Sequence, residues 1–118
     1  MKFNLVSSEP DGVVRVASNG DLSVTDFRTD VNPLQQLLGE DWIRSNLLLD
    51  LRKTQYMDSS AVGWLIKSSK AIKAGGGKMV VHSVHPAVQQ IFDLLRIGLF
   101  IPIVDSEAAA RELATGAS

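Results

Sequence analysis

The apolar run Leu47-Leu48-Leu49-Asp50-Leu51 has the near-continuous character of a strand covered on both faces of a sheet. Four other stretches carry strand patterns: Phe3 to Ser7, Val13 to Ala17, Lys78 to His82 and Ile101 to Val104. Glu9-Pro10-Asp11-Gly12 between the first two is a turn signal and predicts a hairpin. A period near 100° per residue predicts a helix from Ser60 to Ala74. Its apolar face is Ala61, Leu65, Ser68 and Ile72, widened by Val62 and Ile66, with Gly63, Lys67 and Lys70 opposite and Trp64 on the flank. Asn32 as cap, Pro33 in the first turn, a stripe of Leu34, Leu37 and Leu38, and Gly39 as stop predict a short earlier helix. Pro86, preceded by Ser83 or His85, opens another through Val88, Ile91, Phe92 and Leu95, with Ile97-Gly98-Leu99 as a loop. Asp105-Ser106-Glu107 caps a last helix from Ala108 to Ala114. Ser23 to Asn32 has no usable period, and Thr115 to Ser118 should fray.

Strands that alternate with helices imply parallel pairing through right-handed crossovers. The expected fold is α/β: a mixed, mostly parallel sheet of about five strands flanked by about four helices. At 118 residues the chain has the length of one domain, taken as 1–118 with its core motif at 47–81. Gly75-Gly76-Gly77 leads from a helix into a strand and lacks a following Gly-Lys-Ser/Thr. It reads as a left-handed helix stop rather than a phosphate cradle.

Twelve basic residues against 13 acidic ones give a net charge of −1, so no long-range field draws nucleic acid. Lys67, Lys70, Lys73 and Lys78 form the densest basic group, and the first three have the spacing of a solvated helix face. No cysteine is present, which excludes disulfides and thiolate chemistry. The N-terminus lacks a signal peptide's apolar region, and no apolar run approaches the roughly 20 residues that cross a bilayer. A cytoplasmic location without membrane attachment is expected.

The concentrated chemistry lies at Asp58-Ser59-Ser60, where the central strand gives way to the long helix. Small oxygen-bearing residues there can cap free N–H groups of the first turn. A hydrolytic set of Ser59, Asp58 and His82 or His85 is conceivable. However, the Gly-x-Ser-x-Gly elbow is absent, and an aspartate adjacent to the serine cannot easily orient a histidine from behind. Two histidines without cysteine are poor material for a structural zinc site. No enzymatic activity, metal or cofactor is expected.

Asp58-Ser59-Ser60-Ala61-Val62-Gly63, behind Leu49-Asp50-Leu51 and Tyr56-Met57, resembles the central motif of the STAS domain family. In that family's anti-sigma factor antagonists the usual form is Asp-Ser-Ser-Gly-Leu-Gly, so Ala61 and Val62 are mild departures. Gly20-Asp21-Leu22 similarly resembles the family's Gly-x-Leu element. The resemblance runs from about Val13 to Leu113 and is strongest from Leu47 to Val81. The family's longer first helix is not matched here.

The resemblance implies a bacterial phosphoprotein that works by partner switching. Unphosphorylated, it would bind an anti-sigma factor that is also a serine kinase. Phosphorylation of Ser59 would release it, and a serine phosphatase would reset it. Asp58, Ser59, Ser60, Gly63, Trp64 and Lys67 are the expected partner-binding residues. An exposed glycine in a helix's first turn costs roughly 1 kcal/mol against alanine, which points to close approach or local pliability. Trp64 is read either as a binding anchor, replaceable by alanine without loss of stability, or as a side chain folded over the core edge. The alternative role within the family is a scaffold or accessory subunit of a stressosome-like or lipid-transport complex, without a sigma factor.

Overall fold

In a computed structural model of the chain, residues 2–27 and 31–115 are described. The N-terminal hairpin supplies β1 (Phe3–Ser8) and β2 (Val13–Ser18), which pair antiparallel. Their turn closes through the Glu9 N–H on the Val13 carbonyl at 2.8 Å. The chain then adds β3 (Asn46–Asp50), β4 (Lys78–His82) and β5 (Ile103–Val104), each parallel to its predecessor. The sheet order is β1-β2-β3-β4-β5. Between and after the strands lie α1 (Pro33–Leu38), α2 (Ser59–Ala74), α3 (Pro86–Leu94) and α4 (Glu107–Thr115). Three short 3-10 turns, Val24–Phe27, Glu40–Arg44 and Ile97–Leu99, complete the described elements.

Alternation along the strands divides the core between two faces. Leu47, Leu49, Met79 and Val81 join Val16, Ala61, Leu65, Ile72, Val88 and Phe92 in the main cluster beneath α2. Leu48 and Val80 point the other way and pack with Val13, Ala110 and Ala114 beneath α4. That is why three successive leucines in β3 are all fully buried. Charged pairs hold α4 in place: Arg15 Nε lies 2.8 Å from Glu107, and Arg111 reaches Glu9 at 2.8 Å and Asp11 at 2.9 Å.

The predicted caps form. Asn32 Oδ1 accepts the Leu34 N–H at 2.9 Å, His85 Nδ1 accepts the Ala87 N–H at 3.1 Å, and Ser106 Oγ accepts the Ala109 N–H at 3.2 Å. One expectation needs correction. The last strand is only Ile103–Val104, because the Ile101 N–H closes on the Ile97 carbonyl and Pro102 has no N–H to give. The glycine triplet stops α2 as expected: Gly76 takes a left-handed φ of 96°, its N–H donates to the Lys73 carbonyl at 3.3 Å, and the Gly77 N–H donates to the Ile72 carbonyl at 2.8 Å. A Cβ on Gly75 would sit 2.6 Å from the Ile43 carbonyl oxygen, and one on Gly77 would run into the Ser45 carbonyl. Those two glycines therefore admit the segment before β3 at close range. The aperiodic stretch from Ser23 to Asn32 contains the Val24–Phe27 turn, while its residues 28–30 lie outside the described residues, as do 116–118 of the terminus expected to fray.

Candidate functional site

The site forms where two loops leave the carboxyl ends of β2 and β3. The Thr54 hydroxyl, fully buried, lies 2.8 Å from Ser18 Oγ and 2.9 Å from the Gly20 carbonyl oxygen. The Gln55 N–H donates to Asp21 Oδ1 at 3.0 Å. The Leu22 N–H donates to the Tyr56 carbonyl at 3.0 Å, and the Asp58 N–H returns to the Leu22 carbonyl at 3.2 Å. Leu22 and Met57 make a parallel bridge with both side chains buried. A buried apolar pair with satisfied flanking amides locks the loops together.

Asp58 ends this seam and begins α2. Its Oδ1 accepts the Ala61 N–H at 2.9 Å, the usual N-cap bond to the third helical residue. Its Oδ2 accepts the Val24 N–H at 2.8 Å across the seam. The capping is therefore carried by Asp58. Ser59 and Ser60 occupy the first two helical positions, exposed, and neither hydroxyl makes a hydrogen bond among the described residues.

Ser59, Gly63 and Lys67 stand four residues apart, which aligns them on one outward strip of α2. All three are exposed, and a Cβ on Gly63 would meet nothing within 4 Å among the described residues. Trp64 turns the other way. It is only 8 % exposed, stacks on Phe27 with ring centroids 4.8 Å apart and an interplanar angle of 21°, and lies 4.9 Å from the Phe3 ring.

The STAS domain family matches residues 6–110. The chain belongs to this family. A curated relative, the anti-sigma F factor antagonist of Paenibacillus polymyxa, is 35 % identical over 65 residues, which is 55 % of this chain. The match spans 56 % of that relative's length, a little over half. Among solved structures, a candidate anti-sigma factor antagonist from Thermotoga maritima has the same fold, with a TM-score of 0.73 and 21 % identity over 95 % of this chain and 93 % of its own. The anti-sigma factor antagonist SpoIIAA in its unphosphorylated form aligns with a TM-score of 0.59 and 16 % identity, over 94 % of this chain and 96 % of its own.

Within this STAS domain the motif residues Asp58, Ser59, Ser60, Gly63 and Lys67 come together at one end and along one face of α2. Trp64 is the exception. Of its two readings the structure shows the packed one, because Phe3 and Phe27 close over the ring from β1 and from the Val24–Phe27 turn. Two residues that sequence reasoning missed stand beside the motif. Tyr56 is 53 % exposed immediately before it, and Val24, whose amide Asp58 holds, is also exposed. Tyr56 is visible in the sequence as an aromatic next to the motif, but Val24 lies in the aperiodic stretch and carries no such signal.

The histidines do not join Ser59. His82 shares the α4 face of the sheet with Val80 and is paired in register with Asp50, whereas Ser59 belongs to the helix on the opposite face. Its ring is almost wholly buried, with Nδ1 2.8 Å from Ser83 Oγ. Burial lowers its pKa below the usual 6.5, against the pull of the Asp50 and Glu107 carboxylates, while Arg52 and Arg15 add to the lowering. His85 caps α3, and both Asp58 oxygens are committed to backbone amides. A Ser-His-Asp relay is not assembled. Among the described residues no group of three or more acidic or histidine side chains gathers to hold a metal ion, and no helix is long and apolar enough to cross a membrane.

Proposed function

We propose that this STAS domain is an anti-sigma factor antagonist that binds an anti-sigma factor with serine kinase activity and is released when that partner phosphorylates Ser59. The observation that carries the reading is the division of labour at the head of α2. Asp58 supplies the cap, so the Ser59 hydroxyl is exposed and, among the described residues, has no structural bond to lose. The family membership and the anti-sigma F factor antagonist of Paenibacillus polymyxa support the same role.

The switch follows from charge. A phosphate on Ser59 adds about −1.5 to −2 charge at the positive end of a 16-residue helix, where first-turn amides and the dipole accommodate it. Asp58 opposes this with like charge, but its two oxygens already receive the Ala61 and Val24 amides. The domain keeps its shape while its surface changes. A partner fitted to a neutral hydroxyl, the open strip at Gly63 and the Lys67 ammonium would meet a dianion in a desolvated contact. A like-charge clash of that kind costs several kcal/mol, enough to separate the pair. Exposed Tyr56 and Val24 supply apolar contact beside the hydroxyl, and a serine phosphatase restores the binding form.

Phosphopeptide mapping of the protein from its native cells, with Ser59→Ala as control, tests the reading. Phosphate on Ser59, absent from the variant, is the expected result. An unmodified Ser59 across growth and stress conditions would overturn it and leave a scaffold role for the domain.

A further inference from the structure

The far end of the molecule from Ser59 carries a second surface. Between Leu94 and Phe100 four large apolar side chains are left in solvent: Leu94 at 82 %, Leu99 at 77 %, and Leu95 and Phe100 at about half. A concentration of this kind on a small domain marks an interaction site more often than chance. Two hollows of about 360 Å³ each share Gly98 and Leu99 as walls. One is completed by Phe92, Asp93 and Arg96, and the other extends past Phe100 and Ile101 toward Lys73 in the last turn of α2. Lys73 lies 14 residues along α2 from Ser59, about 21 Å at the usual helical rise.

The loop that presents Leu99 is held by its own backbone. The Arg96 N–H donates to the Asp93 carbonyl at 3.2 Å, the Leu99 N–H to the Arg96 carbonyl at 3.1 Å, and the Ile101 N–H to the Ile97 carbonyl at 3.0 Å. Arg96 takes a left-handed φ of 54° to make this turn, a conformation unfavourable for a long side chain. The result is a fixed knob beside a fixed hollow, so little ordering is needed on contact. The same hollow also carries one charge of each sign. Asp93 receives only the Gln89 side-chain amide, at 2.8 Å, and the Arg96 guanidinium has no hydrogen bond or ion pair among the described residues.

We infer that this corner is where two copies of the chain associate. A two-fold interface requires a surface complementary to itself, in which residue i meets j and j meets i. Here Leu99 of each copy enters the hollow beside Leu99 of the other, and Asp93 of each faces Arg96 of the other. A partner of one charge would be matched by a rim of the opposite charge, not by an acid and a base in one hollow. The association leaves both Ser59 ends free, so the dimer offers two docking sites.

Sedimentation velocity on the full chain, from low micromolar to near-millimolar concentration, tests this. A monomer–dimer equilibrium is expected. Leu99→Glu should weaken it at least about tenfold, the effect of putting a charge at an interface centre, with an unchanged circular-dichroism melt. Asp93→Arg and Arg96→Asp should each weaken association, and the double variant should recover to within about threefold of the parent, since each swapped charge then faces its opposite on the other copy. A chain monomeric throughout overturns the inference and leaves the surface to another partner. A dimer indifferent to Leu99→Glu, or a double variant as weak as the singles, overturns it as well.

Discussion

Asp58 Oδ2 holds the Val24 amide at 2.8 Å, joining two segments 34 residues apart in the chain. Its other oxygen caps the helix that carries Ser59. One carboxylate thus sets both the start of α2 and the position of the turn beside it. Asp58→Ala removes two charge-assisted bonds and should cost about 2 kcal/mol, the sum of a typical cap and one further hydrogen bond. Ser59→Ala removes neither and should stay within about 0.5 kcal/mol of the parent. Urea denaturation of the two variants side by side checks the difference, and equal losses would mean that Ser59 has a structural role after all.

Trp64 carries the opposite expectation from an exposed anchor. Packed between Phe3 and Phe27, it should cost about 3–5 kcal/mol when replaced by alanine, the usual range for a buried aromatic. Trp64→Phe, which keeps a ring in place, should recover much of that loss. A Trp64→Ala variant with an unaltered melting temperature would contradict the packing described.

Gly63 separates fold from function. The helix would be better served by alanine there by up to about 1 kcal/mol, and the added methyl meets no neighbour. Gly63→Ala should therefore raise stability while weakening capture of the anti-sigma partner. Titration calorimetry beside thermal melting reads both effects, and a stabilised variant that binds as well as the parent would remove Gly63 from the interface.

His82 predicts a pH response. Its folded pKa is lowered by burial, so the unfolded chain takes up the proton more readily and acid favours unfolding. The contribution is whole above about pH 6.5 and declines as the pH falls below it, levelling off under the folded pKa. Stability measured from pH 8 to pH 5 should drop more steeply for the parent than for His82→Gln. Parallel profiles would show that His82 charges as freely in the folded state as in the unfolded one.

Much of this was legible in the chain because it is local. Strand and helix order, the caps at Asn32, His85 and Ser106, and the cluster at Asp58-Ser59-Ser60 depend on periodicity and on side chains within three residues of the amides they serve. The motif also identified the family, which the match over residues 6–110 shows.

What required the tertiary structure was every choice between two uses of the same residue. Trp64 sits on a helix flank, and only the arrival of Phe3 and Phe27 from distant segments decides that it faces inward. Gly75 and Gly77 flank the helix stop at Gly76, and only the arrival of the Ile43 and Ser45 carbonyls shows that they also admit another segment at close range. Either an aspartate or a serine can cap a helix, so nothing local reserves that task for Asp58. The Val24 amide, brought across by the Leu22–Met57 seam, fixes the carboxylate through its second oxygen while the first takes the cap bond, so that among the described residues the Ser59 hydroxyl makes no hydrogen bond. Local patterns specify which elements form, because their hydrogen bonds close within a few residues. The orientation of a side chain on an element's margin is set by packing between segments far apart in the chain, and that information exists only once they meet.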